Sequence, residues 1–432
     1  MKRILTDEKT WEKCHVLRML EAHSGQEHYS FHTPGHKANG YDITELAYSD
    51  NLSCPQGVIA LAERDIAEIL GADGSFILTD GSTSGVLSML YALRESGVKK
   101  VAAPILSHKS FWNGCMLLGL TPVTFETPTN ALPCKLTAKD VFEAVNGADA
   151  LFLTSPDYYG NVAQLAEIKS LCAAQGKPLI IDGAHGGHLH ADKDRYAGAY
   201  ADMWVDGVHK SLPALTQGAV VSAKGSFVEK LKQAVDIFRT TSPSYPIMGS
   251  VEYAVKFPTN EGLERAVNEW KHSLAYCYNS DDYTKICLFV KDGFEAEKTA
   301  QSKGIYPEFS EENVLCFYLS PAQTEKDFLR LKNFVLELDK AGVLLPEKDV
   351  KCVHAPLLLQ DIEGMAVEKV PLLESVGRIC AQVCGLFPPC LPLIRKGEII
   401  TAEKVNALMG ASNRFGIEND TIKVVETCKE SL

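Results

Sequence analysis

Between about residues 75 and 225 the chain alternates two kinds of apolar segment. The short ones are SFIL (75–78), VAAPIL (101–106), TPVTF (121–125), ALFLT (150–154), PLII (178–181), MWV (203–205) and GAVVSA (218–223). Most of them lack the alternating polar positions of a half-solvated strand, so they predict strands covered on both faces. Between them lie segments with helical spacing. VLSMLYALRES follows a Gly/Ser loop, FWNGCMLLG follows the second run, and KDVFEAV stands behind Thr137 in capping position. AEIKSLCAAQ ends at Gly176 and Pro178. Short strands alternating with helices predict an α/β fold built on a mostly parallel, doubly wound sheet.

Beyond residue 225, SFVEKLKQAVDIFR and GLERAVNEWKHSLAYCY predict long helices leading away from this core. The pattern then changes to a strand-like VLCFYLS, a long helix EKDFLRLKNFVLELDKAG, and a proline-rich end. The expected organisation is an N-terminal arm over 1–35, a large domain over 36–285 and a smaller α+β domain over 286–432. Within the last, GRICAQVCGL places Cys380 and Cys384 four apart, a helical spacing.

Composition narrows the class. The net charge of −12 opposes a nucleic-acid or anionic-membrane surface, which needs clustered Lys and Arg. No apolar region follows the first basic residues, and no run reaches the ~20 apolar residues of a membrane helix. The 13 cysteines are odd in number and form no paired CxxC pattern, so reduced core thiols in a cytoplasmic protein are expected.

In doubly wound sheets ligands sit at the carboxyl ends of the strands. After SFILTD comes Gly81-Ser82-Thr83-Ser84-Gly85, opening into a helix. Small residues and hydroxyls at a helix N-terminus suit a phosphate. After VAAPIL comes Ser107-His108-Lys109-Ser110, whose histidine is a candidate ligand, base or stacking surface. ALFLTSP leads into Asp157-Tyr158-Tyr159. Asp182 ends PLIID and opens Gly183-Ala184-His185-Gly186-Gly187-His188. Here a carboxylate serves either a protonated ring nitrogen or a metal shared with His185 and His188, while the small residues admit a flat ring. Lys210 follows in a second His-Lys-Ser. A lysine at that depth is costly unless its amine is used, and the chemistry it favours is a Schiff base to an aldehyde. A phosphate loop, a stacking histidine, a strand-end aspartate and a late lysine, in that order, describe a pyridoxal 5'-phosphate (PLP) site.

At this level of detail the sequence resembles the fold-type-I, PLP-dependent ornithine/lysine/arginine decarboxylases, in their short bacterial form. The resemblance is carried by TPGHKANG (33–40), DNLSCPQGVI, LGADGSFILTDGSTSG, SHKSFWNG, SPDYYGN, IIDGAHGGH, HKSLPALTQGA and TTSPSYPIMGS, and by VPLLESVGRI and FPPCLPLIRKGE near the C-terminus. It implies a fold-type-I PLP-dependent transferase fold. Lys210 would be the Schiff-base lysine, Asp182 the partner of the ring nitrogen and His108 the residue stacked on the ring. His209 would lie beside the cofactor, with Ala184 and His185 on its other side. Ser82, Thr83 and Ser84 would hold the phosphate, and Thr241 and Ser242 would approach it from the other subunit of a homodimer. His36, Lys37, Tyr158 and Tyr159 would border the substrate. The implied reaction is decarboxylation of a basic amino acid, without metal.

Three positions depart from the family pattern. Gly183 stands where Glu is usual, Gly207 where Ser is usual, and Cys390 replaces a Gly in PPCLPLIRKGE. Arg395 and Lys396 in that segment favour an acidic substrate, whereas Glu398 favours a cationic one. An aminotransferase or lyase, which holds its substrate carboxylate with a late arginine such as Arg395, is the alternative. So is a PLP-binding homologue with altered activity.

Overall fold

The structure, a computed structural model, describes residues 1, 4–37, 40–350, 362, 365–386, 392–411 and 413–426. Seven strands form the main sheet: β1 (Gly74–Leu78), β2 (Lys100–Pro104), β3 (Thr121–Phe125), β4 (Ala150–Thr154), β5 (Leu179–Asp182), β6 (Met203–Asp206) and β7 (Ala219–Ala223). Their order is β1-β7-β6-β5-β4-β2-β3. Strands β3, β2, β4, β5 and β6 are parallel, and β7 runs against both of its neighbours.

The absence of polar alternation has the expected cause. Leu151, Leu153, Leu179, Ile181 and Trp204 pack on one face with Ile168, Met248 and Tyr253. Phe152, Ile180, Met203 and Val205 pack on the other with Val86, Met89 and Phe111. Each large side chain so buried contributes about 1.5–3 kcal/mol relative to exposure. The helix Ser82–Glu95 comes so close to β6 that a Cβ on Gly85 would lie 2.6 Å from Val205 Cγ2. That contact brings the helix N-terminus to the carboxyl edge of the sheet. Thr137 caps Ala138–Gly147 reciprocally with Asp140.

Within the expected arm, the helix His15–Ser24 belongs to the main core through Val16, Leu17 and Leu20. Its N-terminus is held by Glu252, which accepts from His15 N at 2.7 Å and Val16 N at 2.9 Å. The helix predicted over GLERAVNEWKHSLAYCY spans Glu261–His272 and stops before SLAYCY. Residues 286–432, expected as one small domain, pack around distinct clusters. One sheet, β8 (Lys285–Phe289), β10 (Val314–Tyr318) and β9 (Phe309–Glu311) in that order, is covered by Gly293–Ser302 and the capped helix Glu325–Lys340. The C-terminal unit holds β11 (Val367–Pro371) paired with β15 (Thr421–Val425), and β13 (Pro392–Ile394), β12 (Cys384–Leu386) and β14 (Arg414–Phe415). Its own core includes Leu372, Ile394, Val405 and Val424.

Cys380 and Cys384 are not on a helix. Cys380 bridges to Val424 and Cys384 pairs with Ile394 in β13, so this stretch forms short extended ladders rather than a helical turn. The described cysteines are free, and all but Cys54 and Cys134 are buried. No helix among the described residues is long and apolar enough to cross a membrane.

Candidate active site

The predicted residues meet at the carboxyl edge of the sheet. Lys210 lies in the single helical turn Val208–Ser211 after β6, with its backbone N–H bonded to Gly207 O at 2.8 Å. Its Nζ is 3.2 Å from His185 Nε2. His185 is buried, and burial together with the Lys210 charge holds its imidazole well below the usual histidine range. It is therefore neutral. With Lys210 donating to Nε2, the imidazole proton sits on Nδ1, which is buried and has no partner among the described residues.

Asp182, the last residue of β5, is buried and accepts from Ala184 N at 3.1 Å. Burial raises its pKa, and the Lys210 charge opposes the rise. His108 caps the helix Lys109–Leu118 by accepting from Ser110 N at 3.2 Å through Nδ1. Burial, then Lys210 and Lys109, push its pKa down to about 3, so a neutral ring carrying its proton on Nε2 faces the same space. His209 donates from Nδ1 to Gly218 O at 2.9 Å. Lys109 is half-buried and lies over the Phe415 ring at 5.2 Å, which ties this loop to the C-terminal unit.

The phosphate loop adopts a cradle. Gly81 has φ +86, a conformation that suits glycine, and its N–H bonds to Gln217 O at 2.9 Å. Ser82 is partly buried and Thr83 exposed at the helix start. Ser84, predicted to hold the phosphate, directs its hydroxyl instead to Asp80 Oδ1 at 2.8 Å and Gly81 O at 2.9 Å, which shapes the loop. Thr241 and Ser242 are exposed on a loop that touches the cradle of the same chain, where Thr240 N donates to Asp80 Oδ2 at 3.2 Å.

Tyr158 is buried with its ring 4.7 Å from that of His185. Tyr159 turns the other way, donating its hydroxyl to Glu311 at 3.0 Å across the boundary with β9. Gly160, at φ +95, follows them, and a Cβ there would strike Lys285 at 2.9 Å. Sequence reasoning missed this side of the site. Tyr318 stands edge-on to His185 at 5.5 Å and donates to Tyr158 O at 2.8 Å. Lys285, fully buried, lies 4.2 Å over the Tyr318 ring, donates to Thr284 Oγ1 at 2.9 Å and faces Asp282 Oδ2 at 3.4 Å. Asp282 pairs with His188 at 2.9 Å. The only sequence sign of this network is an Asp-x-Thr-Lys run that leads into a strand with a lysine at its first position.

Other predicted residues lie elsewhere. His36 is exposed and paired with Asp42 at 3.0 Å, and Lys37 bonds to His32 O on the same segment. Arg395 and Glu398 are buried together in the C-terminal unit. Arg395 N donates to Glu398 Oε2 at 2.9 Å, and Lys404 binds the other carboxylate oxygen. Burial lowers the Arg395 pKa to about 10 against the pull of Glu398. Lys396 is exposed, and Cys390 lies outside the described residues. Asp182, His185 and His188 do not converge on a metal, because His188 turns to Asp282. The grouping of His15, Asp65 and Glu252 is closed by Lys256, whose Nζ reaches Asp65 at 2.7 Å and Glu252 at 2.8 Å.

Two departures from the family pattern have local explanations. A Cβ on Gly207 would lie 2.7 Å from Ala184 O, so a serine does not fit beneath that carbonyl. A Cβ on Gly183 would lie 3.1 Å from Val205 O and 3.3 Å from Asp206 Oδ1. Asp206 is itself buried, accepting from Tyr196 Oη at 2.6 Å and Trp204 Nε1 at 3.1 Å. The site thus fits PLP. A lysine amine, a buried aspartate, one flat neutral ring, a methyl-sized wall at Ala184 and a helix-start cradle face one cleft, with the orphaned His185 Nδ1 alongside.

A family profile described as Orn/Lys/Arg decarboxylase, major domain, matches residues 39–332. An arginine decarboxylase of Bacillus subtilis is 26% identical over 95% of this chain and 97% of its own. One from Halalkalibacterium halodurans is 26% identical over 97% and 98%. Among solved structures, the constitutive lysine decarboxylase of Escherichia coli superposes with TM-score 0.67 at 19% identity, covering 96% of this chain and 82% of that one. A serine palmitoyltransferase solved with PLP has TM-score 0.52 at 13% identity over 66% and 76%, which places the fold among the fold-type-I enzymes. The chain belongs to the Orn/Lys/Arg decarboxylase family and is a PLP-dependent amino-acid decarboxylase.

Proposed function

We propose that Lys210 carries the decarboxylation of a basic amino acid, arginine, lysine or ornithine, within a homodimer. The observation that carries this reading is the part-buried contact between Lys210 Nζ and neutral His185, flanked by Asp182 and His108. The arginine decarboxylases that match nearly the full chain support the substrate class.

When bound, PLP supplies an aldehyde that takes an amine and a ring that accepts the electrons left as the α-carboxylate departs. Lys210 is the amine that anchors it and, once displaced by substrate, the proton donor to Cα. Neutral His185 accepts from Lys210 through Nε2 and so holds that amine over the cleft. Asp182 would hold the ring nitrogen of the cofactor and favour its protonated form, as a buried carboxylate does for a nearby cation. His108 and Ala184 bound the two faces. Gly81, Ser82 and Thr83 present N–H and hydroxyl groups to the phosphate, and Thr241 and Ser242, exposed in one chain, complete the phosphate site of a second copy. Tyr158 closes the substrate side. The expected His36 and Lys37 would reach that side from a second copy as well, since both are exposed on their own chain.

Borohydride reduction of the yellow protein should fix the cofactor to the Lys210 peptide. Arginine, lysine and ornithine should each be assayed for CO₂ release. Label on Lys109, or 2-oxo acid with pyridoxamine phosphate in place of CO₂, would overturn the proposal.

A further inference from the structure

A basic amino acid carries a second positive charge into a cleft that already holds Lys210, with Lys285 and Lys109 close by. Burying that charge without a partner is costly. The carboxylates around the cleft are mostly engaged. Asp182 faces the ring nitrogen in the reading above. Asp157 accepts from Tyr159 N, Asn161 N and Asn161 Nδ2 at 2.8–2.9 Å. Asp282 is held by His188 and Thr284, and Glu311 by the Tyr159 hydroxyl. Glu398, which the family resemblance offers as the cation's partner, is already bonded by Lys404 and Arg395 N.

Glu308 differs. It stands just before β9, its backbone N–H bonded to Cys316 O at 2.9 Å, so its position is set by the sheet. It is partly buried, and among the described residues its carboxylate accepts no hydrogen bond and makes no ion pair. Lys210, Lys285 and Tyr318 all lie within its electrostatic reach. The Tyr318 ring is 5.5 Å from that of His185, whose Nε2 is 3.2 Å from the Lys210 amine. A carboxylate with unused lone pairs thus stands beside β10, the strand whose Tyr318 ring packs against His185.

We propose that Glu308 is the specificity residue that pairs with the side-chain cation of the substrate while its α-amino end lies at Lys210. This rests on the decarboxylase reading above, and it places the discriminating charge on the β8–β10 unit rather than on Glu398. A charge-assisted bond of this kind gives about 10–100-fold in affinity.

Calorimetric titration of the PLP-loaded protein with 1,5-diaminopentane and n-pentylamine tests it without turnover. The wild type should prefer the diamine about 10–100-fold, and Glu308→Gln and Glu308→Ala should bind the two amines within about threefold of each other. Glu308→Asp, which keeps the charge and withdraws it by one methylene, should retain part of the preference should the neutral variants fold poorly. A wild-type ratio near one, a ratio kept by the variants, or a ratio abolished by Glu398→Gln instead would overturn the assignment. CO₂ release is scored separately. A Glu308-dependent preference without CO₂ from arginine, lysine or ornithine upholds the pairing and refutes the decarboxylation reading. CO₂ release with a Glu308-independent ratio does the reverse.

Discussion

Gly207 gives the sharpest test of how the site is built, because steric fit and family pattern predict opposite results for one substitution. If the missing serine hydroxyl merely costs a phosphate contact, Gly207→Ser should improve cofactor binding. The geometry predicts damage. A Cβ at this position lies 2.7 Å from Ala184 O and 3.3 Å from both Ala184 Cα and Cβ. Carbon and oxygen settle no closer than about 3.2 Å, so the backbone at Ala184 must move by roughly 0.5 Å. That backbone is fixed by Gly183 N bonding to Val205 O at 2.9 Å and Gly186 N bonding to Gly183 O at 2.7 Å. It has no flexible side chain to yield. Overpacking of this kind costs about 1–3 kcal/mol. For a cooperative unit of roughly 250 residues, that corresponds to a fall in Tm on the order of 2–10 °C. In the proposed site Ala184 bounds the cofactor face, so the same strain should weaken PLP about 5–150-fold. Differential scanning calorimetry and PLP titration of Gly207→Ser and Gly207→Ala measure both, and the two variants should fall together. A serine variant with unchanged Tm and tighter PLP, beside a damaged alanine variant, would refute the steric account.

Lys210→Ala should abolish the borohydride-fixed label and lower CO₂ release by at least about 10²–10⁴-fold, the range for removing a proton-transfer group. In contrast, Asp282→Asn acts on stability first. It removes the carboxylate from between His188 and Lys285, all three almost fully buried, and should cost about 3–5 kcal/mol in urea denaturation. Asp206 is pushed up to about 7 by burial. Between pH 4 and 7 the folded chain holds a proton there that the unfolded chain releases, so this group's contribution falls as pH rises through that window. The effect is at most about 4 kcal/mol, and Asp206→Asn should remove it from the slope of unfolding free energy against pH. An equal slope in the two proteins would show that the carboxylate is already ionised.

The sheet was legible because both its faces are buried, which leaves runs such as ALFL and LII without polar positions. Lys210, His108 and Asp182 were legible because strand ends of a parallel sheet gather in one place. Local spacing was less informative. Cys380 and Cys384 have helical separation but lie on short ladders, where strands distant in sequence supply the partners. The resemblance implied a phosphate contact for Ser84, whose hydroxyl bonds instead to Asp80. Lys285 and Glu308 were invisible for another reason. Lys285, at the start of a strand, looks solvent-facing until Gly160, more than a hundred residues away, and Tyr318 pack against it.

The reversed strand β7 also sets the order in which the cleft can come into being. Strand β1, which carries the phosphate loop, touches the sheet only through β7, and β7 is the last of the seven to be synthesised. Until the chain has grown past Ala223, β1 waits without a partner, and its cradle has no fixed distance to Lys210. The Gln217–Gly218 turn then fastens both at once, to Gly81 on one side and His209 on the other. A nascent chain cut between Lys210 and that turn would hold every predicted cofactor residue from Ser82 to Lys210 and still have no place to bind one.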